Sequence, residues 1–245
     1  MKGIWALFDF RGVPEYLPDL LKGAAITIEM TFTVMAISLV LGLIVALARV
    51  TRLRPVRAAA TFYVEVMRGT PCLLQLFYIY FVLPAFGIRL AAFTAGVIGL
   101  TVNYAAYMSE VYRAGIQAVA KGQLEAAQAL GMSRSLMMRL IILPQAIRII
   151  VPPLGNHFIS LFKDTSLASI VTVKELIFAG QIIAATNFQY FTIFTLIGAI
   201  YLMISYPGSL GVQYLERRMK IGYRPRRGAA PAGGPTRGAP QGAVS

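Results

Sequence analysis

Residues 23–48 form an apolar run in which Glu29 is the only charged side chain. A bilayer core about 30 Å thick takes roughly 20 apolar residues to cross as a helix. Inside lipid the backbone satisfies its own hydrogen bonds only as a helix or a closed barrel. One uninterrupted run of this length selects the helix, so the first expectation is an all-α polytopic membrane protein. Composition agrees: 13% of residues are charged, half the share of a soluble domain. The net charge of +13 does not point to nucleic acid, because the basic residues sit between and after apolar spans, where orientation signals sit. Cys72 is the single cysteine, which excludes an internal disulfide.

Residues 1–22 mix charges with Pro14 and Pro18 and are expected at the membrane interface, with Trp5 and Phe8 as anchors. Met1-Lys2 opens too short an apolar run, broken by Asp9 and Arg11, for a secretory signal. Residues 23–216 are expected to be the transmembrane domain, with five spans. After the first come a short second one at residues 70–86, extended backwards through residues 58–67 with Arg68 snorkelling, and a third at residues 91–116. A fourth at residues 145–169 is bent by Pro152-Pro153, and a fifth covers residues 188–215. Thr172 and Glu175 have the spacing of a capping box before a short outer helix. Thr70-Pro71 reads as a helix start with Thr as cap, either a simple kink or a functional hinge. Residues 217–245 form a basic tail, and from residue 222 its Gly, Pro and Ala content predicts disorder.

Basic residues cluster at residues 49–68, 113–148 and 217–237. In the five-span arrangement all three clusters fall on one side. The positive-inside bias then puts the amino terminus outside and the carboxyl terminus in the cytoplasm.

Between the third and fourth spans lies a polar interruption, residues 121–144, KGQLEAAQALGMSRSLMMRLIILP. Gly122-Gln123 opens it and Glu125-Ala126-Ala127 builds a short helix that Gly131 ends, glycine being the residue that takes a left-handed C′ position at little cost. Glu125 is expected in the first turn, facing the positive end of the dipole. Ser133 is expected to cap a second helix that ends at Pro144. This is a short helix presented at the membrane surface.

That segment resembles the cytoplasmic coupling loop of ABC importer permeases, whose pattern is EAA, three residues, Gly, nine residues and I-x-L-P. Here Glu125-Ala126-Ala127, Gly131 and Ile141-Ile142-Leu143-Pro144 stand in register. Arg68-Gly69-Thr70-Pro71 with Gln75, Tyr112 to Ile116, Gly122-Gln123, Pro144-Gln145-Ala146 and Lys163-Asp164-Thr165-Ser166-Leu167 resemble the polar amino-acid branch. The resemblance implies the type I importer permease fold in a bacterial cytoplasmic membrane. It also implies a second permease copy, identical or related, two ATPase subunits docked on Gly122, Gln123, Glu125, Ala126, Ala127 and Gly131, and an extracytoplasmic solute-binding protein. ATP and Mg belong to the ATPase. None of the six lysines follows a glycine, as a Walker A loop requires.

A solute path is expected where polar groups share helix faces within spans. Asn103, Tyr107 and Glu110 are four and three apart on the third helix; Asn156, Ser160 and Lys163 are so on the fourth, with Asp164 one step round. Gln75 completes the set. The same groups have a structural reading, satisfying one another across a dimer. His157, the only histidine, reads as a packed helix residue. With no triad or metal cluster in view, an enzyme is not expected. The rival reading is a secondary transporter or channel, against which stand the lack of internal duplication and of a filter sequence.

Overall fold

The computed structural model describes residues 12–220, all of whose regular structure is helical. The expected interfacial anchors Trp5 and Phe8, and the tail beyond residue 220, lie outside the described residues. Helix α1 spans Val13–Val50, so it starts well before residue 23, with Pro14 in its first turn, where a missing N–H costs nothing. It packs along α4, Ala92–Gln117. Met30, Val34, Ser38, Gly42 and Ala46, each four residues apart, form its buried stripe. Small residues let the two backbones approach. A Cβ on Gly42 would stand 2.5 Å from Cβ of Met108 and 3.1 Å from the Ala105 carbonyl oxygen.

The turn at Thr51–Leu53 leads to α2, Arg54–Gly69, an amphipathic helix in which only Val64 is fully buried. The Tyr63 hydroxyl ties it to α4 through a 2.5 Å bond to the Val102 carbonyl. Next comes α3, Cys72–Phe77, continued by a π turn at Tyr78–Val82 and a 3-10 turn at Leu83–Phe86. The two halves meet at 104°. Thr70 is extended, as a residue before proline must be, and it ends α2; Pro71, not Thr70, is the N-cap of α3. The expected Thr cap is thus displaced by one residue. The Thr70 hydroxyl instead bonds back to the Val66 carbonyl at 2.8 Å.

After α4 come the two short helices of the polar loop, α5 (Lys121–Ala129) and α6 (Arg134–Met137). A π turn at Met138–Ile142 then joins α6 to α7, Leu143–Asp164. The expected stop at Pro144 is therefore wrong: Arg134–Val171 is one continuous helical span of 38 residues. Proline has no N–H to give and its ring crowds the carbonyl four residues back. The wider π turn sits just where that bond is missing.

A 3-10 turn, Thr165–Val171, ends at Thr172 in left-handed conformation, and α8 (Leu176–Asn187) and α9 (Tyr190–Lys220) follow. The expected Thr172–Glu175 capping box does not form. Glu175 is itself the N-cap, its carboxylate accepting from the Ile177 and Phe178 amides at 2.9 and 2.8 Å.

By length and composition three helices qualify as spans, Val13–Val50, Arg134–Val171 and Tyr190–Met219, or four with the bent pair Arg54–Gly69 and Cys72–Phe86. The expected count of five would need α4, which has the length but not the apolar composition. Its setting explains that: Asn103, Tyr104, Ala105, Ala106, Met108 and Ser109 are all buried in the protein rather than turned to lipid. One core gathers Met30, Val34, Leu76, Leu100, Met108, Leu161 and Val171 around α4. A second joins Leu20 and Ala24 to Leu176, Ala184, Ile193 and Ile197 on α8 and α9.

Candidate functional site

The candidate residues gather in two regions: the presented helix α5 and a polar cavity at the α2–α3 bend. In α5 the chain turns at Gly131, φ +73°. The Met132 amide bonds to the Ala127 carbonyl at 3.1 Å and the Gly131 amide to the Gln128 carbonyl at 2.9 Å, the two bonds of a Schellman ending. Ser133 then caps α6, its hydroxyl accepting from the Leu136 amide at 3.3 Å. The helix starts at Lys121, so Glu125 lies in the second turn and not the first; no acid occupies the first turn. The dipole therefore does little for Glu125, which leaves its carboxylate available at the surface. Ala127 is buried, whereas Gly122, Gln123, Glu125, Ala126 and Gly131 are exposed and Leu130 stands 81% open. A 2.5 Å bond from Gln145 to Gln123 holds α5 against the start of α7.

The cavity, about 510 Å³, is lined by Arg68, Thr70, Cys72, Asn103, Tyr104, Tyr107, His157, Ser160 and Asp164, among others. The Thr70–Pro71 bend opens it, and Gln75 holds that bend. The Gln75 amide nitrogen donates to the Met67 carbonyl at 2.9 Å, to the Thr70 carbonyl at 3.3 Å and to the Thr70 hydroxyl at 2.8 Å, covering carbonyls that the end of α2 leaves unpaired. Its amide oxygen accepts from Asn103 at 3.1 Å. Gln75 thus shapes the site from behind without lining it.

Tyr104 donates a 2.6 Å bond to Oδ2 of Asp164 within the lining. The His157 ring meets Tyr104 edge-on at 6.3 Å and lies 5.8 Å from Tyr107, over which the Arg68 guanidinium sits at 5.6 Å. The lining thus holds a cation stacked on Tyr107 and a carboxylate bonded to Tyr104. A neighbouring cavity of about 370 Å³ shares Arg68, Tyr107 and His157 and reaches Glu110. Glu110 is ion-paired with Arg49 at 2.5 Å and also with Arg113.

Of the residues expected on the solute path, Asn103, Tyr107, Ser160 and Asp164 come together here. Glu110 lies on the adjoining cavity and Gln75 behind the bend. Asn156 and Lys163 are exposed and line neither cavity. On α7 the cavity face is His157, Ser160 and Asp164, spaced three and four apart, one step round from the face the sequence suggested. Arg68, Tyr104 and His157 were missed. For His157 the signal was its spacing to Ser160 and Asp164, and for Arg68 its place in the Arg68-Gly69-Thr70-Pro71 stretch.

The family described as "Binding-protein-dependent transport system inner membrane component" matches residues 38–221. The probable glutamine ABC transporter permease protein GlnM of Bacillus subtilis is 41% identical over 197 residues, covering 80% of this chain and 91% of that protein. The glutamine transport system permease protein GlnP of Escherichia coli is 40% identical, covering 87% and 99%. A crystal structure of an amino acid ABC transporter with histidines superposes with a TM-score of 0.83 at 40% identity, over 86% of this chain and 98% of that one. The MetNI methionine ABC transporter in an inward-facing conformation, 22% identical with a TM-score of 0.62 over 80% and 96%, shares the fold. With its presented helix and its span-buried polar cavity, the chain belongs to the binding-protein-dependent transport system inner membrane components, as a permease subunit of an ABC importer.

Proposed function

We propose that this permease moves a polar amino acid into the cytoplasm by alternating access, and that the cavity at the α2–α3 bend is its passage. The observation that carries the reading is that Arg68 and Asp164 line one cavity. An amino acid brings a carboxylate and an ammonium, and these two side chains complement them. Relatives named as glutamine and cystine permeases support the same solute class. The Lys163-Asp164-Thr165-Ser166-Leu167 stretch supports it as well.

Two permease copies, identical or related, pair in the membrane, and a solute-binding protein delivers from outside. ATPase subunits that grip α5 through Glu125, Ala126 and the exposed Leu130 hydrolyse ATP with Mg as their cofactor. The clusters of arginine at the α1–α2 turn, around α5 and at the end of α9 favour a cytoplasmic carboxyl terminus and an outside amino terminus. The chain itself carries transport and no chemistry.

The test is uptake by proteoliposomes holding the permease, its ATPase and the binding protein. Amino acids that the binding protein retains are expected to enter only with ATP. Asp164→Asn is expected to abolish most uptake while binding-protein affinity stays unchanged. Uptake of a sugar or a metal complex instead would refute the solute class, and ATP-independent uptake would refute the coupling.

A further inference from the structure

We propose that the corner between α1 and α2 binds the phosphate headgroup of an anionic membrane lipid. A cavity of about 760 Å³ lies there, lined by Arg49, Arg54, Arg57, Glu65, Arg113 and Gln117, with Phe62 at its side. Helix α1 is 38 residues long, about 57 Å at 1.5 Å per residue. It outreaches the hydrocarbon core, so its Val50 end stands at a membrane surface.

The charges of this corner do not balance. Arg49 and Arg113 are both committed to Glu110, and Arg113 also to Gln117 at 2.7 Å. Arg54 and Arg57 have no carboxylate partner among the described residues. Four guanidinium groups therefore face two carboxylates, Glu65 in the lining and Glu110 beneath.

The placement of Arg54 and Arg57 sharpens the point. They occupy the first turn of α2, where backbone N–H groups already concentrate positive charge. That turn contains no acid, and the Leu53 N-cap supplies no side-chain acceptor. Left alone, two cations at the positive end of a helix are unfavourable; an anion there satisfies both the N–H groups and the guanidiniums.

The rim selects a lipid over a small ion. Val50, Leu53 and Phe62 are 56%, 63% and 72% exposed beside the arginines. Such a surface takes acyl chains while the phosphate sits among the guanidiniums. A zwitterionic headgroup brings its own ammonium into the same excess of positive charge, so the preference is for a net negative lipid such as phosphatidylglycerol. This site lies apart from the solute cavity and does not depend on which solute is carried.

The experiment is native mass spectrometry of the delipidated permease–ATPase complex, titrated with phosphatidylglycerol, phosphatidylcholine or inorganic phosphate. Phosphatidylglycerol is expected to stay bound to the permease, with phosphatidylcholine much weaker and inorganic phosphate unable to displace it. Arg54→Gln with Arg57→Gln is expected to weaken retention about thirtyfold, from the contribution of each arginine near an anionic surface. Arg57→Gln alone, measured alongside, is expected to weaken it about fivefold and covers the case in which the double variant fails to assemble. Arg217→Gln with Arg218→Gln, an equal charge change elsewhere, is expected to leave retention unchanged. The proposal is overturned if phosphatidylcholine binds equally well, if inorganic phosphate competes, or if both pairs of substitutions have the same effect. Absence of lipid uptake in the assembled complex, as when an acidic protein surface covers the corner, overturns it too.

Discussion

The Tyr104 hydroxyl, on the buried helix α4, holds Oδ2 of Asp164, at the end of α7, at 2.6 Å. The bond lies in the lining of the polar cavity and ties α4 to α7. Tyr104 is only 4% exposed, so its hydroxyl has little water to turn to when Asp164 moves or takes a cationic partner. Tyr104→Phe is therefore expected to free the carboxylate. Asp164→Asn is expected to remove the charge and cut uptake by about tenfold or more, from the worth of one hydrogen bond to a charged group. Proteoliposome uptake with ATPase rate measured in parallel checks both, the Phe variant falling short of the Asn variant in its effect.

Coupling is expected to fail at α5 without loss of the fold. Glu125→Lys reverses an exposed charge. Gly131→Asp puts a side chain at φ +73°, a strain of about 1–2 kcal/mol. Both variants are expected to insert normally and to lose stimulation of ATP hydrolysis by the loaded binding protein. Normal stimulation would count against α5 as the contact.

Glu175 is expected to make stability depend on pH. It is fully buried and, besides the two α8 amides, takes the Tyr201 hydroxyl at 3.1 Å and the Thr27 hydroxyl at 3.5 Å. Burial raises its pKa above the ordinary 4.5, outweighing these four bonds, which lower it. The folded state then holds the proton more tightly than the unfolded chain. Its contribution is complete below 4.5 and is lost as pH rises through the raised value. Thermal melting in detergent is expected to be higher near about pH 5 than near about pH 8. Glu175→Gln should flatten that difference, and Glu175→Ala should destabilise by about 1–3 kcal/mol at either pH by orphaning the α8 amides.

The Arg49–Glu110 pair joins α1 to α4 with the arginine side chain only 10% exposed. Removing Arg49 leaves Glu110 with Arg113 alone. Arg49→Met is expected to cost about 2 kcal/mol, between the values for surface and fully buried pairs. Arg49→Met with Glu110→Leu should recover part of it, apolar packing replacing the pair while Arg113 keeps its bond to Gln117. Melting of the four members of the double-mutant cycle decides it, and additive losses would show the pair to be uncoupled.

What could be read from the chain alone was whatever depends on local order. Residues 23–48 announce a span by unbroken apolarity, Gly131 ends α5 because only its neighbours decide the turn, and Ser133 caps α6 through a bond three residues away. The register of Glu125-Ala126-Ala127 with Gly131 is likewise a matter of spacing. Tertiary structure decided the rest. Residues 143 and 144 continue a span because a π turn takes up the proline, and Glu175 rather than Thr172 caps α8 because the fold buries it beside Thr27 and Tyr201. Which face of α7 lines the cavity, His157 and Asp164 or Asn156 and Lys163, rests on where α4 and the Thr70–Pro71 bend are brought against it. One residue along a helix turns the side chain by about 100°, so a polar stripe has no inside until a partner helix supplies one.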